Sequence, residues 1–97
     1  MFVIFGLLFV GCEPKVDATY KVLYYDNGSV YGFAPIDNTL YKSGMFATVL
    51  DQGTLLKPGH EFSGWNTNPQ GTGNLYKAGD MLIIKDRNIL LYAQWTQ

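Results

Sequence analysis

Glycine and proline punctuate this chain so densely that no long helix can run through it. The 97 residues carry 11 glycines and 4 prolines. Beyond the uniformly apolar opening stretch, they break every window in which a helical apolar period would build. Between the breaks lie short runs of β-branched and aromatic residues, the pattern of strands joined by turns. The expected fold class is therefore mostly β, with α+β as its outer limit.

The runs can be placed one by one. Residues 20–25 (YKVLYY) read as a first strand that ends in a turn at Asp26-Asn27-Gly28. Residues 29–41 contain Pro35 and little periodic apolar pattern, and are expected to be loop. After a turn at Lys42-Ser43-Gly44, residues 45–50 (MFATVL) form a second strand. Ala47 and Val49 belong to one of its faces, Phe46, Thr48 and Leu50 to the other. Leu55 and Leu56 read as an apolar plug before a Lys57-Pro58-Gly59 turn, and residues 60–65 as a third strand. Residues 66–73 (NTNPQGTG) are dense in turn dipeptides and must be loop. Residues 80–84 make a fourth strand, residues 85–88 a charged turn, and residues 89–95 (ILLYAQW) a fifth. Ile89, Leu91, Ala93 and Trp95 line one face of that last strand.

A chain of this length makes one domain at most, near the lower size at which a single core suffices. A fold of this size is stable by about 4–12 kcal/mol. Aromatic residues at 15% help, because each ring buries a large apolar area. A net charge of −1 with scattered cations carries no footprint for nucleic acid or for an anionic membrane surface.

The chemistry of an enzyme is hard to assemble from these residues. The 8 carboxylates are spread singly, most of them in expected turns. His60 and Glu61 are neighbours on an expected strand and point to opposite faces, so they make no acid–base pair. His60 is expected as a half-buried structural ring. Ser29, Ser43 and Ser63 lack a nucleophile setting. One cysteine and one histidine cannot make a zinc site, and no metal or cofactor is expected. Asp26 and Asn27 lack the spacing of a calcium loop and read as a turn. Gly71-Thr72-Gly73 lacks the Gly-Lys-Ser/Thr of a phosphate loop and reads the same way. Trp65 and Trp95 are expected to pack into the core, the alternative being exposed rings that stack on sugars. Asn66 and Thr67 are expected to hold the turn after Trp65 with their side chains.

The opening stretch, residues 1–11 (MFVIFGLLFVG), is apolar throughout. It is too short to span a bilayer, which takes about 20 residues, and has the length of a signal-peptide core. Phe9-Val10-Gly11-Cys12 resembles a bacterial lipobox, although Phe9 stands where leucine is usual and no basic residue precedes the run. That resemblance implies lipid attachment at Cys12, membrane anchoring, and a short tether over residues 12–19. The competing reading is a buried strand over residues 2–10.

The remainder carries a second resemblance. Phe62-Ser63-Gly64-Trp65-Asn66-Thr67, the glycines at 71, 73 and 79, Tyr76, and the closing Leu91-Tyr92-Ala93-Gln94-Trp95 resemble one internalin-type B-repeat, or Listeria–Bacteroides repeat. The match spans residues 20–96 as a single domain. It implies a β-grasp, ubiquitin-like mixed sheet with little or no helix. It also implies a non-catalytic bacterial cell-surface module that binds proteins or glycans, the alternative being a structural spacer or a fragment of a longer multi-repeat surface protein. Tyr31 and Phe33 are the candidate binding residues, since strand pairing gives no reason for two rings in that loop. They either form an exposed anchor or fold back over a sheet edge.

Overall fold

The computed structural model describes residues 18–97, so the apolar leader and Cys12 lie outside the described residues. Six strands follow in order: β1 (Val22–Tyr25), β2 (Phe46–Thr48), β3 (Glu61–Asn66), β4 (Leu75–Tyr76), β5 (Met81–Ile83) and β6 (Ile89–Thr96). There is no helix among the described residues, and the mostly-β class holds. Five of the strands fall where the apolar runs place them. The sixth, β4, is two residues long and has no period of its own; its pairing with β3 makes it a strand.

The main sheet is mixed, in the order β1-β6-β3-β4. β1 runs parallel to β6, and β6 and β4 run antiparallel to β3 on either side of it. First and last strands therefore lie side by side and parallel, which requires a crossover connection between β1 and the rest of the sheet. Within that connection β2 forms a separate ribbon with β5, paired antiparallel from Phe46–Ile83 to Thr48–Met81.

The core lies between ribbon and sheet. Ala47, Val49, Leu82 and Ile84 face Val22, Tyr24, Trp65, Leu91 and Ala93, and all of these are buried. Strand alternation accounts for this on β6, where Leu91 and Ala93 are fully buried, and on β2, where Phe46 and Thr48 point to solvent. Two expectations need correction. Leu50 packs partly against the core instead of facing away with Phe46, because it lies beyond the end of β2 and is released from the alternation. Of the apolar plug only Leu55 is buried; Leu56 is about half exposed, because its backbone pairs with Tyr31 and its side chain is directed outward.

Ribbon and sheet are joined at the Leu50 peptide. Trp65 Nε1 donates to Leu50 O at 2.8 Å, and Leu50 N donates to the Tyr24 hydroxyl at 3.0 Å. The Tyr24 and Trp65 rings meet edge-on at 4.8 Å. Two buried aromatic side chains thus satisfy both backbone polar groups of a residue just past a strand end, at the seam where they would otherwise lack partners.

β3 carries a bulge. Phe62 pairs with Trp95 and Gly64 with Gln94, leaving Ser63 as the extra residue. Gly64 sits at φ 135°, a conformation open to glycine and costly to other residues. The bulge resets the alternation, so Phe62 and Trp65, three residues apart, lie on the same face with their rings edge-on at 5.1 Å.

Candidate functional site

The residues of the Trp65–Gly73 motif form a polar staple. Asn66, 3% exposed, closes β3 instead of opening the loop, as its sequence position had suggested. Its Oδ1 accepts from the Asn68 N–H at 3.1 Å and the Gly73 N–H at 2.9 Å. Thr67 accepts at Oγ1 from the Asn74 N–H at 2.9 Å, and its own N–H donates to Asn74 O at 3.1 Å. Asn68 accepts from the Thr72 N–H at 3.0 Å and donates to the Thr72 hydroxyl at 2.8 Å. Gly73 is dictated by space, since a Cβ there would overlap Thr67 Oγ1. Asn27, at φ 47°, ties the first turn to this loop by donating to Pro69 O at 3.0 Å and to β6 by donating to Ala93 O at 2.8 Å. Asx-type bonding of this kind is what short polar side chains do best at turns. It consumes the polar atoms of the motif in holding the loop.

The remaining motif residues are distributed through the fold. Gly71 lies over the Gln94 side chain, Gly79 occupies a left-handed turn position at φ 90°, and Tyr76 pairs opposite Trp65. Leu91 is in the core, and Tyr92 stacks on Tyr25 at 5.1 Å on the outer face of the sheet. Trp65 is fully buried and has no ring face for a sugar. Trp95 is partly buried, edge-on to Phe62 at 5.8 Å, and donates from Nε1 to Asp26 O at 3.2 Å. His60 is half-buried and donates from Nδ1 to Thr96 O at 2.9 Å. Among the described residues, no three His, Cys, Asp or Glu side chains group as metal ligands.

Tyr31 and Phe33 stand apart from this framework. Tyr31 is 60% exposed, Phe33 84% and Ile36 79%, and Val30 and Leu40 of the same loop are also exposed. The backbone beneath them is held firmly. The N–H groups of Val30 and Tyr31 both donate to Leu56 O, at 2.9 and 3.0 Å, and Leu56 N returns a bond to Tyr31 O at 3.0 Å. Phe33 N donates to Thr54 Oγ1 at 2.9 Å, and that hydroxyl donates to Phe33 O at 3.3 Å. Gly32, at φ 84°, lies so close that a Cβ would overlap the Thr54 carbonyl. Sequence reasoning singled out Tyr31 and Phe33 but passed over Val30, Ile36 and Leu40. The readable signal was five large apolar residues and one charge, Asp37, between positions 30 and 40.

Asp37 closes the far end of this loop. Its carboxylate accepts from the Tyr41 hydroxyl at 2.5 Å and from the Thr39 N–H at 2.9 Å. Tyr41 is tied by backbone bonds to Tyr20, just before β1. Burial pushes the Asp37 carboxyl up, but the bonds from Tyr41 and Thr39 outweigh it, and its pKa lies below the usual 3.8. Tyr41 is raised above 10.0, by burial first and then by its bond to Asp37. Tyr24 is raised too, chiefly by burial. The signs follow from linkage. A depressed carboxyl stabilises the fold above its unfolded pKa, and that contribution is lost as pH falls through the folded value. A raised phenol stabilises below its unfolded pKa, and that contribution is lost as pH rises through the folded value. Unfolding followed against pH should therefore show a fall in stability below pH 3.8 and another above pH 10.0. Asp37→Asn should flatten the acid limb; an unchanged acid limb would mean the clamp contributes nothing.

With this geometry in hand, comparison with known proteins places the chain. Residues 20–94 match the Listeria–Bacteroides repeat domain, and the chain belongs to that family. A protein of Evansella cellulosilytica provisionally named as a Gly-rich membrane protein is 37% identical over 99 residues, covering 95% of this chain and 11% of that protein. A second protein of that organism, provisionally named as a membrane protein, is 38% identical over 77 residues, covering 78% of this chain and 11% of its own length. The chain thus spans 11% of the length of each of these two relatives. No solved structure matches it.

Proposed function

We propose that this chain is a non-catalytic binding or adhesion module displayed at the bacterial cell envelope, with the loop over residues 30–40 as its contact surface. The observation that carries the reading is the exposure of Phe33, Tyr31 and Ile36 on a braced backbone. Exposed rings are costly to maintain in solution, and aromatic anchors supply much of the energy at recognition sites. A loop already fixed by Leu56 and Thr54 loses little entropy on binding. The partner is a protein or a glycan outside the cytoplasmic membrane. The parallel pairing of β1 with β6, flanked by antiparallel β3, supports a β-grasp sheet, one without a helix among the described residues. Membrane attachment enters through Cys12: cleavage before it and acylation of its sulfur would follow from the lipobox-like residues 9–12, and two acyl chains suffice for stable anchoring. The naming of both relatives as membrane proteins supports an envelope location. Mass spectrometry of the protein from native membranes should find the acyl mass on Cys12, and an intact Met1 on a soluble protein would remove this part of the reading.

The double variant Tyr31→Ser, Phe33→Ser tests the surface. Stability should change by less than about 1 kcal/mol, since neither ring is in the core. Capture of extracellular-matrix, glycan and envelope components should weaken by about 2 kcal/mol. If capture is unchanged, the loop is not the site. The second reading, a spacer segment of a longer surface protein, draws on the 11% coverage of both relatives. It predicts no capture by the original chain at all.

A further inference from the structure

A second concave site lies on another part of the molecule, between the end of the sheet and the turn that leads into β6. Its volume is about 310 Å³, enough for one small ring. Tyr76, Leu82 and Ile89 give it apolar lining, and Lys85, Arg87, Asn74 and the carboxylate Asp86 line it too, so its charged groups sum to one net positive charge. The cations are available. Arg87 makes a single ion pair, from Nε to Asp86 at 3.3 Å, which leaves the paired N–H groups at the tip of its guanidinium unengaged among the described residues. Lys85 has no carboxylate partner among them. The Asn74 side-chain amide also makes no hydrogen bond there; only its backbone serves the staple to Thr67.

These groups match one ligand chemistry. A pyranose presents a C–H face to an aromatic and aliphatic wall, its hydroxyls bond to an amide, and a ring carboxylate takes the planar fork of an arginine. We propose that this cleft binds a carboxylated sugar unit of the uronic acid class. The site is separate from the loop at Tyr31 and Phe33 and does not depend on the role assigned to that loop.

The test uses the full chain in zwitterionic detergent micelles, titrated with a tetragalacturonide and with its fully methyl-esterified form. The free acid should bind, shift the amide resonances of Tyr76, Lys85 and Arg87, and weaken with added salt. Loss of the carboxylate charge in the ester, or the double variant Lys85→Ala, Arg87→Ala, should reduce affinity by about tenfold or more. Both substituted side chains are exposed, so an unchanged unfolding midpoint checks that the variant is folded. The Tyr31→Ser, Phe33→Ser variant should bind the acid normally. No binding of the acid, equal binding of acid and ester, or undiminished binding by the lysine–arginine variant would overturn the proposal.

Discussion

Trp65→Ala should remove most of the stability of this fold. The ring is completely buried, packs edge-on against both Tyr24 and Phe62, and satisfies the Leu50 carbonyl through Nε1. Large-to-small truncation of a buried aromatic costs about 3–5 kcal/mol, set against about 4–12 kcal/mol for a domain of this size. The loss has two parts that a second variant separates. Trp65→Phe keeps much of the packing but abandons the Leu50 carbonyl, so it should cost only about 1–3 kcal/mol. Urea unfolding gives both values. A Trp65→Ala midpoint within about 1 kcal/mol of the original would mean that the seam between ribbon and sheet is held elsewhere.

Gly64→Ala is expected to be nearly as damaging for a different reason. A Cβ at this position would stand 3.0 Å from Tyr76 O and 3.2 Å from Leu75 Cδ1, and the φ of 135° is one that alanine avoids. Strain and overpacking together should cost about 2–4 kcal/mol. Relief would require the bulge to straighten, which would turn Phe62 or Trp65 away from the core. Amide exchange on β4 should therefore accelerate along with global unfolding, since among the described residues β4 pairs only with β3. Alanine at no measurable cost would show that the bulge does not depend on glycine.

Much of this architecture can be read along the chain because its signals are local. Alternation places Ala47, Val49, Leu91 and Ala93 inward, and the dense turn dipeptides mark residues 66–73 as loop. The class of module is legible from the Trp65–Gly73 run and the closing strand, whose spacing reflects one staple and one sheet edge. The proposed binding surface was only half legible. Aromatic residues in a loop mark Tyr31 and Phe33, but whether they cover a sheet edge or face solvent depends on what lies beneath them. That proved to be the Thr54 hydroxyl and the Leu56 backbone, more than twenty residues away. The cleft near Lys85 and Arg87 was not legible at all, since its walls come from β4, β5 and β6.

From residue order alone follow five of the six strands, most of their inward faces, the turns, and membership of a repeat family, because each rests on a period of two or on the backbone preferences of glycine, proline and asparagine. Tertiary structure decided the rest. It joined β1 to β6 in parallel, made a strand of Leu75–Tyr76, and used the bulge at Ser63 to bring Phe62 and Trp65 onto one face. A rule that alternates by twos puts those two rings on opposite sides. Only the partner strand, by leaving one residue unpaired, can reverse it.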